Sequence, residues 1–158
     1  FDIEQIANAL HISERDAAAL IETANGEIAD QIATDVLIIE DEPLIAMHLE
    51  AIVTDMGHQI AGVAATHGEA VAIADAERPD LVLADVQLAD GSSGIEAVHE
   101  ILETMTVPVV FITAYPERLL SGERPEPTWL VTKPFEPETV VATVGQALLL
   151  SARAAAPA

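Results

Sequence analysis

Four stretches of the chain are apolar over nearly their whole length: Val36 to Ile39, Leu81 to Ala84, Val107 to Ile112, and Trp129 to Thr132. A weaker one runs from Gln59 to Ala64. Runs this short that do not alternate with polar residues fit strands covered on both faces, as in a parallel sheet. Between them the apolar positions recur at helical spacing, which predicts helices over about 43–56, 68–77, 94–105 and 137–150. The stretch between Thr113 and Trp129 holds Pro116, Gly122, Pro125 and Pro127 and leaves room only for a short helix, over about 116–120. Strand and helix therefore alternate from Asp35 to Leu150 as five βα units. This pattern predicts an α/β fold whose parallel sheet is joined by right-handed crossovers.

Ahead of Thr34 the pattern changes. Ile3, Ile6, Ala7 and Leu10 lie on one face of a short amphipathic helix, and Ala17, Leu20, Ile21, Ala24, Ile28 and Ile32 on one face of a longer one. Asp2 with Gln5 and Ser13 with Asp16 stand as capping-box-like starts, and Phe1 is placed to staple onto Ile6. Residues 1–34 therefore read as a helix pair, 35–150 as the α/β domain, and 151–158 as a small-residue tail that frays. The opening Phe1 reads as the continuation of a longer chain.

Charge narrows the partners. Against 27 acidic residues stand 6 basic ones, a net charge of -21 over 158 residues. A field of that sign repels nucleic acid and anionic lipid and attracts cations. No apolar run reaches the ~18 residues of a membrane helix, so a soluble, cytoplasmic protein is expected. With no cysteine there is no disulfide or thiolate site.

The candidate chemistry lies at the ends of the strands. Glu40-Asp41-Glu42 follows the first, Asp85 the third, Thr113 the fourth and Lys133-Pro134 the fifth. If the strands are parallel neighbours, acid, acid, hydroxyl and amine meet at one edge of the sheet, where open α/β folds bind ligands. Clustered carboxylates suit a hard cation and should raise the pKa of at least one member when no metal is bound. Each group also has a plainer role: Glu42-Pro43 as a helix start, Thr113 as a turn residue, Lys133 as a snorkelling surface lysine. His11, His48, His58, His67 and His99 lack ligand spacing and read as structural or surface residues. Asp90-Gly91-Ser92-Ser93-Gly94 reads as a turn entering a helix.

Taken together and in this order, Val36 to Pro43, Asp85, Pro108 to Thr113 and Lys133-Pro134-Phe135 resemble the signature of two-component response regulator receiver domains. The resemblance implies a flavodoxin-like (βα)5 receiver with a five-stranded parallel sheet and Mg2+ as cofactor. It makes Asp85 the phosphoacceptor and Asp41 a direct metal ligand, with Glu40 holding the metal through water and the backbone carbonyl of Gln87 as a further ligand. Thr113 and Lys133 would contact the phosphoryl group, and the Lys133-Pro134 bond would be cis. A sensor histidine kinase or phosphotransfer protein would supply the phosphate, and the domain would act in signalling rather than as an enzyme.

Three positions depart from the common receiver pattern. Glu40 stands where Asp is usual, and Leu130 where most receivers carry the switch aromatic. Tyr115 follows Thr113 by two residues instead, which resembles a receiver subgroup with its aromatic in that loop and makes Tyr115 the candidate switch residue. The helix pair ahead of the receiver resembles the promoter-reading helix-turn-helix of a sigma factor. Its second helix, however, sets Arg15 against Glu14, Asp16, Glu22, Glu27 and Asp30 and lacks DNA-reading chemistry.

The combination resembles the PhyR-type anti-anti-sigma factors of the bacterial general stress response. It implies that phosphorylation releases the sigma-like segment, which then sequesters a NepR-type anti-sigma factor and frees the real sigma factor. Residues 1–34 would be only the end of that segment. The apolar side of the short fourth helix, the last strand and the last helix would be its docking face, bordered by Pro125 and Pro127. If left bare, that face could pair with another copy as a homodimer. A plain phosphorelay receiver is the main alternative. Direct DNA binding is disfavoured by the charge, and an aspartyl phosphatase by the lack of a second acid at Gln87.

Overall fold

The computed structural model describes residues 34–120 and 128–155. The chain divides between Ala33 and Thr34 into two units, and the described residues all belong to the second. The helix pair expected over 1–34, His11, and Pro125 and Pro127 lie outside them.

The elements run in strict alternation: β1 (Asp35–Ile39), α1 (Pro43–Asp55), β2 (Gln59–Ala64), α2 (His67–Glu77), β3 (Leu81–Ala84), α3 (Gly94–Thr104), β4 (Val109–Thr113), α4 (Glu117–Leu120), β5 (Thr128–Thr132) and α5 (Pro137–Ala155). The strands form one sheet in the order β2-β1-β3-β4-β5, and every neighbouring pair is parallel. This is the flavodoxin-like receiver architecture. Expected and observed strands agree to within two residues. The fourth starts at Val109 rather than Val107; Pro108 has no N–H for the ladder, although its carbonyl still accepts from the Val82 N–H.

Period-two alternation along fully buried strands builds two cores. Leu37, Ile39, Val82, Ala84 and Phe111 point to one side and pack with Ala70 and Ala74 of α2 and Ala97, Val98 and Ile101 of α3. Val36, Ile38, Leu81, Leu83, Val110 and Ile112 point to the other and pack with Leu49, Ile52 and Val53 of α1 and Val140, Val144 and Ala147 of α5. Both faces are thus covered, which is why polar residues in β1, β3 and β4 stand only at strand ends, at Asp35 and Thr113.

Local signals set the helix ends. Pro43 opens α1, the Thr66 hydroxyl accepts from the Glu69 N–H at the start of α2, and the Ser93 hydroxyl accepts from the Ile95 and Glu96 N–H groups at the start of α3. At the far end α5 continues to Ala155, five residues past the expected stop. The segment Ser151-Ala152-Arg153-Ala154-Ala155 contains no Gly or Pro and is rich in the strongest helix former, so small residues here extend the helix instead of ending it. Among the described residues no helix is long and apolar enough to cross a membrane.

Candidate functional site

The order β2-β1-β3 reverses direction at the β1/β3 boundary, and the residues beyond the C-terminal ends of these strands line the crevice this creates. The hydrogen-bond ladder continues one residue past three strands. Glu40 N–H donates to the Ala64 carbonyl, Asp85 N–H to the Ile39 carbonyl (both 2.8 Å) and Lys133 N–H to the Thr113 carbonyl (2.9 Å). Each backbone is thereby pinned to its neighbour strand before its side chain enters the crevice.

The structure brings the acids together. Single carboxylate oxygens of Glu40, Asp41, Glu42 and Asp85 lie within 4.8 Å of one another. Glu42 had the plainer reading, as a helix start. It does occupy the N-cap of α1, yet its side chain makes no capping bond and its Oε1 stands 3.9 Å from the Lys133 ammonium. A capping position and a site position coincide there, and nothing in the residue type separates them.

Lys133 is not a surface lysine. Its Nζ donates to Asp85 Oδ2 at 3.0 Å and to Glu40 Oε1 and Oε2 at 3.0 and 3.2 Å, with its side chain only 10% exposed. The Lys133-Pro134 peptide is cis. Asp85 Oδ1 accepts from the Val86 N–H at 2.7 Å, so the two oxygens of this buried carboxylate have separate partners. Burial raises the Glu40 pKa to about 7; the hydrogen bond from Lys133 offsets only part of this, and Asp85 and Asp41 add to it. The expected rise is present, but desolvation rather than like charge is its main cause. For Lys133 burial works against the ammonium, while its bonds to Asp85 and Glu40 outweigh that and hold its pKa above the ordinary value.

Thr113 is fully buried, and its Oγ1 accepts from the Tyr115 N–H at 3.0 Å. That acceptor bond directs the hydroxyl proton elsewhere. Tyr115 is 45% exposed, with the Arg118 guanidinium 5.6 Å from its ring centroid. Gln87 forms an isolated antiparallel bridge with Ser93, which closes the loop after β3.

The remaining described histidines stand apart from the acid cluster. His48 stacks on Phe135 with ring centroids 5.3 Å apart, beside a cleft of about 370 Å³ that reaches Lys133. His58 is buried and accepts from the Thr34 N–H through Nδ1, and His67 pairs with Glu100 at 2.6 Å.

An all-oxygen donor set of this density fits a hard divalent cation. A buried carboxylate facing a compact ammonium, within reach of such a cation, fits a phosphoryl acceptor. A five-stranded parallel sheet of this order, with acids after β1 and β3, a hydroxyl after β4 and a lysine after β5, defines a receiver. The response regulator receiver domain model matches residues 36–145, and the chain belongs to that family.

Within it, the chain is 60% identical over 130 residues to the phyllosphere-induced regulator PhyR of Methylorubrum extorquens, covering 82% of this chain and 49% of that protein. The chain thus spans about half the length of this relative. The crystal structure of the response regulator PhyR from Brucella abortus superposes with a TM-score of 0.73 at 54% identity, over 98% of this chain and 63% of that one. The anti-anti-sigma factor PhyR of Bartonella quintana, in its co-crystal with the anti-sigma factor NepR, superposes with a TM-score of 0.64 at 53% identity, over 94% of this chain and 61% of that one.

Proposed function

We propose that this chain is the receiver of a phosphorylation-gated anti-anti-sigma factor, with Asp85 as phosphoacceptor. The observation that carries the reading is the 3.0 Å contact of Lys133 Nζ with Asp85 Oδ2 inside the acid cluster. An Asp85 oxygen attacks the phosphorus of a phosphohistidine or acyl phosphate. An O–P bond forms as the donor's N–P or O–P bond breaks, and the donor keeps the electron pair. Val86 N–H holds Oδ1 of the acceptor, Lys133 pairs with the arriving phosphoryl oxygens, and Thr113 donates its free hydroxyl proton to one of them. Asp41, Asp85 and the Gln87 carbonyl would hold Mg2+ directly and Glu40 would hold it through water, with Glu42 at the rim. When bound, the cation supplies positive charge that offsets what gathers on the phosphoryl group.

The output follows from the relatives. PhyR of Bartonella quintana is described in complex with NepR, and residues 1–34 of this chain carry the sigma-like helix pattern without DNA-reading charge. Phosphorylation would release that segment for an anti-sigma factor of this type. The docking face would be α4, β5 and α5, the last of which leaves Val141, Leu149 and Leu150 exposed. Residues 1–34, 35–150 and 151–158 would serve as the segment, the receiver and a tail, the tail beginning within the last turns of α5.

The test is calorimetry of the full-length protein with an anti-sigma peptide, with and without acetyl phosphate and Mg2+, and with Asp85→Ala as control. Binding seen only in the activated wild type supports the reading. Phosphorylation of Asp85 with no binding in any state would leave a phosphorelay receiver.

A further inference from the structure

The loop between β3 and α3 carries the Gln87 carbonyl assigned to the metal, so what holds that loop bears on the proposed site. Within the loop, Leu88 N–H donates to the Ser92 carbonyl and Gly91 N–H to the Leu88 carbonyl, both at 3.1 Å, and Gly94 N–H donates to the Val86 carbonyl at 2.7 Å. Together with the Gln87–Ser93 bridge, these bonds make residues 86–94 a small closed unit. Gly91, at a φ of 81°, turns it. Moving Ser92 therefore moves Leu88 and, through it, Gln87.

Ser92 is tied to a different element. The His67 N–H, one of the donors that a helix start leaves without an internal partner, donates to Ser92 Oγ at 3.2 Å. Ser92 Oγ in turn donates to Asp90 Oδ1, and Ser92 N–H donates to the same oxygen at 3.0 Å. The polarity is set from one end, because a backbone N–H can only donate. The hydroxyl accepts from α2 and passes its own proton toward Asp90. The two hydrogen bonds from Ser92 are the main reason the Asp90 carboxyl sits below its usual pKa, and that keeps it the ionised acceptor the relay needs. A second link lies alongside, where His67 Nε2 meets Glu100 Oε2 of α3 at 2.6 Å. The acceptor loop is thus tied to α2 at its tip, and the helix that follows it is tied to α2 as well.

We infer that Ser92, with Asp90 as its acceptor, is a positioning residue for metal binding: the relay from His67 N–H through Ser92 Oγ to Asp90 holds the loop so that the Gln87 carbonyl faces the acid cluster. The inference rests on the metal reading above, and its test separates the two. Asp90 is not one of the clustered carboxylates, which are Glu40, Asp41, Glu42 and Asp85.

The experiment is a calorimetric Mg2+ titration of the full chain as wild type, Ser92→Ala and Ser92→Thr, with thermal unfolding of each metal-free protein and amide exchange across residues 86–93. Partners outside the first coordination sphere commonly contribute ~10–100-fold to metal affinity. Because this relay is partly exposed, about a tenfold rise in the Mg2+ Kd is expected for Ser92→Ala, with an unfolding midpoint within ~2 °C of wild type. Exchange at Leu88 and Gly91 should quicken. Ser92→Thr keeps the hydroxyl and should bind within about twofold of wild type. Ser92→Ala binding Mg2+ as tightly as wild type would overturn the inference and leave the metal site standing, as would Ser92→Thr losing as much as Ser92→Ala. A wild type that takes up no Mg2+ would overturn the metal reading itself.

Discussion

Lys133 Nζ lies 3.0 Å from Oε1 and 3.2 Å from Oε2 of Glu40, so one ammonium spans both oxygens of a carboxylate that is 3% exposed. A longer acid at this position reaches the lysine where the usual Asp would be a methylene short. Removing the lysine strands Glu40 and Asp85 together in a buried crevice. Lys133→Ala should therefore lower metal-free stability by about 1–3 kcal/mol, below the usual cost of breaking a buried pair because Glu40 protonates readily. Mg2+ held at the proposed site would supply the missing charge, and its stabilising effect should be larger in the variant than in wild type. Urea unfolding with and without Mg2+ measures both quantities; an identical loss in the two conditions contradicts the arrangement.

Gly94 brings its backbone against the backbone of Asp85, the proposed acceptor. A Cβ on it would stand 1.7 Å from the Asp85 carbonyl oxygen and 2.9 Å from the Asp85 carbonyl carbon. Neither is the end of a flexible side chain, so the start of α3 and the end of β3 must separate. Gly94→Ala should cost about 2–4 kcal/mol, in the upper part of the overpacking range or beyond it. It should also slow acetyl phosphate labelling of Asp85. Chemical denaturation and labelling read the two effects separately, and a variant with wild-type stability would show that the loop yields freely.

The strands and the polar residues gathered at their ends were legible because burial on both faces leaves an unmistakable apolar run, and each run ends at its polar residue. Direction and reach of side chains were not. Nothing in the sequence places Glu42 with the cluster rather than in a capping bond, because a helix start favours acid for its own reasons. That Lys133 spans Glu40 as well as Asp85 depends on the β2-β1-β3-β4-β5 order and on the pleat at each strand end, which only the folded sheet supplies. The rise in the Glu40 pKa could be anticipated from clustered charge, but its main cause, desolvation, depends on depth of burial. The hydrogen bonds of His67 and Ser92 are likewise absent from the sequence pattern, where the first reads as a scattered histidine and the second as one residue of a turn.

His58 gives the fold a pH dependence apart from the site. It is buried, and desolvation holds its pKa below the ordinary 6.5, while Nδ1 accepts from the Thr34 N–H. The unfolded chain takes up this proton near 6.5, and the folded protein only at a lower pH. The neutral-histidine stability is therefore fully present above 6.5 and is lost as the pH falls from there toward the folded value. His58→Asn offers an acceptor that does not titrate. Between about pH 7 and about pH 5.5, thermal midpoints should fall less in this variant than in wild type. Parallel curves would place the titration elsewhere.

Thr113 and Tyr115 link the proposed phosphoryl site to an exposed aromatic. The Tyr115 N–H donates to the Thr113 hydroxyl, so a shift of Thr113 toward a phosphoryl oxygen pulls on the backbone that carries the ring. Tyr115 starts 45% exposed, its ring under Arg118, and an exposed cation–π contact contributes only ~0.5–1 kcal/mol, weak enough to be given up. Activation should therefore move the ring to a less exposed position, a two-state change of the kind phosphorylation drives. Tyr115 is the chain's single tyrosine, so its NMR ring resonances report on this position alone. Beryllium fluoride with Mg2+ should shift them. Thr113→Val removes the acceptor, leaves the Tyr115 N–H unpaired at a cost of about 1–2 kcal/mol, and should uncouple the ring from Asp85. Ring signals that respond equally in wild type and Thr113→Val would break the connection between hydroxyl and aromatic. The coupling would then run through β5, where Leu130 pairs with Phe111.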